Sequence, residues 1–145
     1  MDNLLQVVSK VKDKMSNYII SELKNAGHKD LYISHGAILM NFKDKKEMNY
    51  KELSKRINKS QQTMTTLIRK LEKEGYITLQ VDQKDKRNKL VQLSKKGEEF
   101  IPLMFRISEN MFNIQYSGFT DTEKQTLKPL LSKLLLNFEE NNNDN

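Results

Sequence analysis

The stretch VDQKDKRNKLVQL, residues 81–93, places a cluster of cations between two short runs of alternating apolar and polar residues. Such alternation is typical of paired strands joined by a turn. The turn holds four cations within six residues and only two counter-charges: Lys84, Lys86, Arg87 and Lys89, with Asp82 and Asp85. A basic turn is usually just solvated, but cations at this density also bind phosphate by releasing its condensed counterions. We expect Asp85 to hold the Arg87 guanidinium in one orientation through charge-assisted hydrogen bonds.

The segment Gln61–Glu74 combines an apolar helical stripe with a polar face suited to contacting bases. Its apolar residues follow the i, i+3, i+4, i+7 spacing of a helix with one buried side: Met64, Leu67, Ile68 and Leu71. Its other side carries amides, hydroxyls and one guanidinium: Gln61, Gln62, Thr63, Thr65, Thr66 and Arg69. Glutamine pairs with adenine, threonine contacts base edges or the thymine methyl, and arginine suits guanine or phosphate. We interpret this segment as a recognition helix, against the alternative of a polar face without a target.

Residues around the start of this helix could position it on a phosphate backbone. Ser60 is a good N-cap, since its hydroxyl can accept a hydrogen bond from a free backbone N–H of the first turn. The other free N–H groups of that turn attract phosphate. Three cations precede the helix: Lys55, Arg56 and Lys59. The acidic residues of the helix stand only at its far end.

Hydrophobic periodicity predicts the elements that must carry these side chains. Apolar residues at steps of three and four predict four helices, at residues 4–24, 34–42, 50–57 and 61–74. Steps of two then predict a hairpin at residues 76–93. Residues 43–47 are expected to form a charged loop. Ser94 and Thr120 then cap two further helices; Pro102 and Pro129 disturb their patterns, so the last helix either bends or begins nearer Pro129.

Charge and composition bound the class of partner. The 145 residues include 25 Lys and Arg against 19 Asp and Glu, a net charge of +6, and the pI is about 9.4. This balance favours nucleic acid or an anionic surface. Without cysteine, no disulfide, thiolate metal site or thiol redox sensor can form. The N-terminus has no apolar signal core and no stretch reaches the roughly 18 apolar residues of a membrane span, so we expect a cytoplasmic protein without a membrane partner.

Long apolar stripes in the first and last helices predict a homodimer. A chain of this length offers few partners for both stripes, so the two ends are expected to pack together and against a second copy with two-fold symmetry. The final residues 141–145, NNNDN, have nothing to bury and should form a disordered tail.

Other groupings support weaker hypotheses. The spacing of His28, Asp30 and His35 fits no standard metal template, and we expect neither a metal site nor a cofactor. The sequence has no Ser–His–Asp order with a nucleophile elbow and no phosphate-cradling loop, so we expect no enzyme. Methionine and aromatic stripes usually belong to the core. A few such residues could instead line an effector cleft: Met15, Tyr18, His35, Met104 and Met111.

The central segment resembles the MarR type (multiple antibiotic resistance regulators) of winged-helix transcriptional regulators. In that family a serine opens the recognition helix, Leu-Glu-x-x-Gly ends it, Asp-x-Arg lies in the wing, and Val-x-Leu-Thr/Ser-x-x-Gly follows. The corresponding positions here are Ser60, Leu71–Gly75, Asp85–Arg87 and Val91–Gly97. The resemblance implies a homodimer built from the first and last helices, pseudo-palindromic operator DNA as partner, Arg87 in the minor groove, and often relief of repression by a small molecule.

Together these features predict a mainly α fold with a small β-hairpin, in which a winged helix–turn–helix DNA-binding domain is flanked by N- and C-terminal dimerisation helices. The expected boundaries are 1–30 for the first dimerisation helix, 31–97 for the DNA-binding domain, 98–140 for the last dimerisation helices and 141–145 for the tail. The predicted function is that of a homodimeric repressor of double-stranded operator DNA. The alternatives are a nucleoid-associated protein of low specificity and a winged-helix module that binds proteins.

Overall fold

A computed structural model describes residues 3–143. Over these residues the chain forms six helices and a three-stranded antiparallel sheet: α1 Leu4–Asn25, α2 Ile33–Met40, β1 Glu47–Asn49, α3 Tyr50–Arg56, α4 Gln61–Lys73, β2 Ile77–Val81, β3 Lys89–Leu93, α5 Lys95–Gln115 and α6 Asp121–Asn143. The mainly helical fold with a β-hairpin is as predicted. No helix within this range is long and apolar enough to cross a membrane.

The sheet contains one strand that the sequence did not indicate. Strand β1 lies in the segment where we expected a charged loop to end, and it pairs antiparallel with β3 in the order β1-β3-β2. Met48 is its one buried residue and faces Val91 across the pair. Three residues with a single buried side chain give no alternation to detect, which is why only the hairpin was predicted.

Helix ends follow the predicted capping residues. The Ser60 hydroxyl accepts a hydrogen bond from the Thr63 N–H at 3.2 Å, and Gly75 closes α4 with a φ of +77°. The Thr120 N–H donates to the Glu123 carboxylate at 2.8 Å and the Glu123 N–H donates back to the Thr120 hydroxyl at 3.3 Å, as in a capping box. The bond from the Thr120 N–H, and next a bond from the Thr120 hydroxyl to the same carboxylate at 3.0 Å, hold the pKa of Glu123 below its ordinary value.

Helix α6 begins directly after the predicted cap Thr120 and extends further at its C-terminal end than expected. It begins at Asp121, so the alternative start near Pro129 is wrong, and that proline lies inside the helix. It also continues to Asn143, into the segment 141–145 for which we expected a tail; residues 144 and 145 lie outside the described range.

The first of two compact units extends to Met111 and contains the sheet, helices α1 to α4 and α5 up to Met111. Its core joins one side of each of these helices to the inner face of the sheet. The fully buried side chains at its centre include Leu23, Ile38, Leu39, Leu53, Met64, Leu71, Val91 and Phe100. Helix α4 is therefore fixed by its apolar side, and its polar side is left at the surface.

The second unit begins at Phe112 and contains the last turn of α5 and all of α6. The rings of Phe112, Tyr116 and Phe119 contact one another at its beginning, tilted in the first pair and edge-to-face in the second, with centroids 4.7 and 5.6 Å apart. None of the side chains described in α6 is buried, and five of its large apolar residues are 46 to 64% exposed: Leu130, Leu131, Leu135, Leu136 and Phe138. Exposed apolar surface of this extent is typical of an interaction surface.

Gly97 of α5 lies against the backbone of Tyr76, just after the end of α4. A Cβ at this position would lie 2.2 Å from the carbonyl oxygen of Tyr76. The Ser94 hydroxyl accepts from the Gly97 N–H at 3.1 Å and donates to the carbonyl of Gly75, and the Ser94 N–H donates to the Tyr76 carbonyl at 3.0 Å. The Ser-x-x-Gly motif thus has a steric reason, because only glycine leaves room for this backbone contact.

We predict that Gly97→Ala destabilises the fold by about 1–3 kcal/mol, since the added methyl group meets backbone that cannot yield. Gly36→Ala is the matched control, because its Cβ would meet Met104 and Phe100 at ordinary distances of 3.6 to 3.7 Å. This control should be neutral or stabilising by up to about 1 kcal/mol. Urea denaturation of both variants measures the difference, and equal stability of the two would contradict the steric account.

Candidate nucleic-acid interface

A groove of about 570 Å³ lies at the junction of α3, α4 and the hairpin. It is lined by Tyr50, Lys51, Ser54, Lys59, Gln61, Met64, Thr65, Ile68, Arg69, Leu79, Arg87, Asn88 and Lys89. Five of these side chains are cationic, and none of the described lining residues is acidic. The groove is therefore a concave surface of one charge sign, which raises the local concentration of a polyanion.

The buried side of α4 determines which predicted residues reach this groove. Met64 and Ile68 point into the core and also form part of the groove floor. Gln61, Thr65 and Arg69 follow one another at intervals of one helical turn, and all three line the groove. The other three predicted contact residues are exposed on the same helix but do not line the groove: Gln62, Thr63 and Thr66.

The threonine hydroxyls of α4 are already bonded to the protein. Thr65 donates to the carbonyl of Gln61 at 2.9 Å, and Thr66 donates to the carbonyl of Gln62 at 3.1 Å. The Thr63 hydroxyl oxygen accepts from the Ser60 hydroxyl at 2.8 Å. For Thr65 and Thr66 the hydroxyl can still accept a bond, and the methyl group can contact thymine, so these residues are suited to apolar or acceptor contacts with bases.

The wing is the hairpin of residues 77–93. Its aspartates form hydrogen bonds that order the turn and do not bind the cationic side chains. Asp85 accepts from the N–H of Arg87 at 3.1 Å and from the side-chain amide of Asn88 at 2.7 Å. Our prediction that Asp85 holds the Arg87 guanidinium is therefore wrong. Over residues 3–143 no ion pair involves Arg87, and its side chain is exposed at the groove edge. The aspartate fixes the turn and leaves the guanidinium available.

A second pair of bonds anchors the base of the wing. Asp82 accepts from the N–H of Lys84 at 2.8 Å and from the side-chain amide of Asn49 at 2.9 Å. The bond from the Lys84 N–H, and next the bond from Asn49, hold the pKa of Asp82 below its ordinary value. The Asp82 carboxylate is therefore charged at neutral pH, and its hydrogen bonds are to groups of the protein itself.

The three cations predicted to contact the DNA backbone differ in their surroundings. Arg56 forms an ion pair with Glu52 at 2.7 Å, and Lys45 lies 3.2 Å from the same carboxylate. The hydrogen bond from Lys45 is the main reason that the pKa of Glu52 is lowered. Lys55 and Lys59 are exposed, and Lys59 lines the groove. The charge of Arg56 is thus partly neutralised, and of the three cations Lys59 is the best placed to contact a phosphate at the groove.

Four polar lining residues were not predicted as site residues: Tyr50, Lys51, Ser54 and Asn88. Tyr50, Lys51 and Ser54 share one face of α3, and the Tyr50 hydroxyl lies 3.4 Å from the Thr65 hydroxyl. The Ser54 hydroxyl is buried and has no hydrogen-bond partner among the described residues. A seven-residue helix shows fewer than two full turns of periodicity, so the sequence alone does not say which of its faces looks outward.

Both histidines have partners in the fold. His28 forms a hydrogen bond with the Tyr76 hydroxyl, and the Nδ1 atom of buried His35 accepts from the Tyr32 N–H at 3.1 Å. Burial is the main cause that lowers the pKa of both rings. Over the described residues, no group of three His, Asp or Glu side chains could hold a metal ion.

The predicted effector residues lie close to the core. Tyr18 and Met104 pack against it, His35 is buried, and Met15 and Met111 are half-buried. An effector cleft lined by these residues stays a prediction.

Comparisons with known proteins agree with this geometry. The profile of the family described as MarR matches residues 31–89. The chain is 29% identical over 122 residues to the uncharacterised HTH-type transcriptional regulator YybA of Bacillus subtilis, covering 83% of this chain and 81% of the relative. It is 31% identical over 89 residues to the regulator SarZ of Staphylococcus epidermidis, covering 61% of this chain; the match spans 57% of that relative's length.

Solved structures share the fold over nearly the whole chain. A MarR protein from Peptoclostridium difficile superimposes with a TM-score of 0.77 at 26% identity, covering 97% of this chain and 90% of that one. The MepR protein of Staphylococcus aureus, solved in complex with DNA, superimposes with a TM-score of 0.79 at 20% identity, covering 94% and 99%. At 20% identity the second comparison concerns the fold alone.

We predict that Arg87→Ala weakens binding to duplex DNA by about 1–3 kcal/mol and lowers the slope of log K against log salt by about one unit. The matched control is Arg106→Ala, which removes the same charge from an exposed position of α5 outside the groove. Fluorescence anisotropy at several salt concentrations gives both quantities. If the two variants bound alike, the assignment of the wing would be refuted.

Proposed function

We propose that this chain, which belongs to the MarR family of DNA-binding transcriptional regulators, acts as a homodimeric repressor of a pseudo-palindromic operator. The observation that carries this proposal is the cationic groove, which is lined by α3, the recognition helix α4 and the wing. Its relatives are transcriptional regulators and not enzymes.

The proposed complex places α4 in the major groove. That groove is about 12 Å wide and admits a helix, so Gln61, Thr65 and Arg69 would face the base edges. The wing would then extend along the duplex, where Arg87 enters the adjacent minor groove and Lys89 approaches phosphate. Arg87 is exposed and engaged in no described ion pair, which supports this role because no internal bond has to break first.

A second copy is proposed to cover the apolar surfaces of α1 and α6. In one chain Leu5 is 82% exposed and Leu135 and Phe138 are 59% and 64% exposed. Burying such side chains against a partner contributes about 25 cal/mol per Å² of apolar surface. A two-fold dimer would present two wings and two recognition helices, and a dimer bound in this way occludes the DNA that it covers.

Two further parts of the proposal concern regulation and location. We propose that a small molecule in a cleft lined by Met15, Tyr18, His35, Met104 and Met111 relieves repression. The proposed site of action is the cytoplasm, because the proposed partner is genomic DNA.

The dimer predicts a mass of twice 17.1 kDa in sedimentation velocity. Leu135→Glu should shift the equilibrium toward the monomer, since a carboxylate is costly to bury in an apolar interface. Ser132→Glu is the matched control, because it adds the same charge at a polar position of the same helix. A monomeric wild-type protein, or equal dissociation of both variants, would contradict the proposed interface.

Selection of bound duplexes from a random pool tests specificity and symmetry together. We predict a consensus of two inverted half-sites whose centres lie roughly 34 Å apart or a multiple of this distance. Retention of all duplexes without a consensus would favour a nucleoid-associated protein, and retention of none would favour a protein-interaction module.

A further inference from the structure

The turn at the tip of the wing has a single hydrogen-bonded link to another element. The sheet pairing ends at Val81 and Lys89, and residues 82–88 lie beyond it. Within the turn, Asp82 and Asp85 bond to neighbouring amides, and the Asp82 N–H donates to the Asn88 carbonyl at 3.0 Å. Among the hydrogen bonds of residues 3–143 that involve this turn, only the bond from Asn49 to Asp82, at 2.9 Å, leaves the hairpin.

Asn49 connects the turn of the wing directly to α3, which also lines the groove. Its side-chain oxygen accepts from the N–H of Lys51 at 2.8 Å and so caps α3, and its side-chain N–H₂ donates to Asp82. One amide group therefore holds both the start of α3, where Lys51 lines the groove, and the turn that carries Arg87. Both side chains of the pair are half-buried, so water competes less for their bond than at a fully exposed site.

We infer that Asn49 and Asp82 are positioning residues, whose hydrogen bond holds the cationic wing at the distance from α3 at which Arg87 and the recognition helix contact one duplex together. The inference rests on the proposed function, because it takes the wing as a DNA contact. Neither residue lines the groove itself, so each acts through the position of the wing. Such ordering before binding lowers the conformational entropy that the complex must lose.

The first test uses a variant that breaks the link without changing charge or the helix cap. Asn49→Ser keeps a good N-cap for α3 but has no amide to reach Asp82. On a duplex carrying the consensus from the random-pool selection, we expect binding about three- to tenfold weaker, the range of a lost hydrogen bond to a charged group that acts indirectly. Wild-type affinity for this variant would overturn the inference.

The second test exchanges the two residues. In the double variant Asn49→Asp, Asp82→Asn the new carboxylate can cap α3 and accept from the new amide, whose oxygen can still accept from the Lys84 N–H. All three hydrogen bonds are restored with unchanged net charge, and we expect affinity to return to within about twofold of wild type. Failure of the exchange to restore binding would also overturn the inference.

A merely structural role is separated by repeating Asn49→Ser in the Arg87→Ala background. If the link acts through the wing, its loss should have little further effect once the main wing contact is absent. An equal loss of affinity in both backgrounds would show that Asn49 acts through the fold of α3, against the inference.

A measurement without DNA distinguishes failure of this inference from failure of the proposed function. The chain has no cysteine, so Gln83→Cys can carry a single nitroxide label on the turn. Asn49→Ser should raise the mobility of this label in the electron paramagnetic resonance spectrum of the free protein, and the exchanged pair should restore it. Unchanged mobility overturns the inference even if the protein binds DNA, and a raised mobility supports the link even if no operator is found.

Discussion

The burial of one side of α4 is the constraint on which the whole surface depends. Met64, Ile68 and Leu71 are almost fully buried, and exposing even one such side chain costs about 1.5–3 kcal/mol. The helix therefore cannot rotate about its axis, and the positions of Gln61 and Arg69 are set by residues buried in the core. The orientation of the polar face thus derives from packing at the apolar face.

The five cations that line the groove form no ion pairs among the described residues, since the nearby aspartates bond to amides instead. Asp82 and Asp85 accept hydrogen bonds from backbone and side-chain amides within the hairpin and from Asn49. They order a turn whose cations would otherwise repel one another, without forming ion pairs with those cations among the described residues. Glu52 has the opposite effect at Arg56, where an ion pair reduces the charge offered to a polyanion.

Local signals in the sequence predicted most of this arrangement. The cap at Ser60, the glycine at position 75 and the apolar spacing of α4 each depend on residues within one or two helical turns, so they are visible in a single chain. What was missed depends on contacts across the fold: β1 pairs with a strand more than 40 residues later, and the outward face of α3 is set by the residues packed beneath it. The partner of Asp85 was also mistaken, because a turn offers backbone amides closer than the guanidinium two residues away.

The central claim is that the recognition helix and the wing of one protomer contact a duplex together, and that the same elements of its partner contact that duplex at a second half-site. Affinity cleavage tests it most directly, with an iron chelate attached to Gln83→Cys, the only cysteine in that variant. The account predicts two cleavage patches in the minor groove, symmetric about the operator centre and flanking the half-sites. A single patch, or cleavage spread evenly along the duplex, would contradict it.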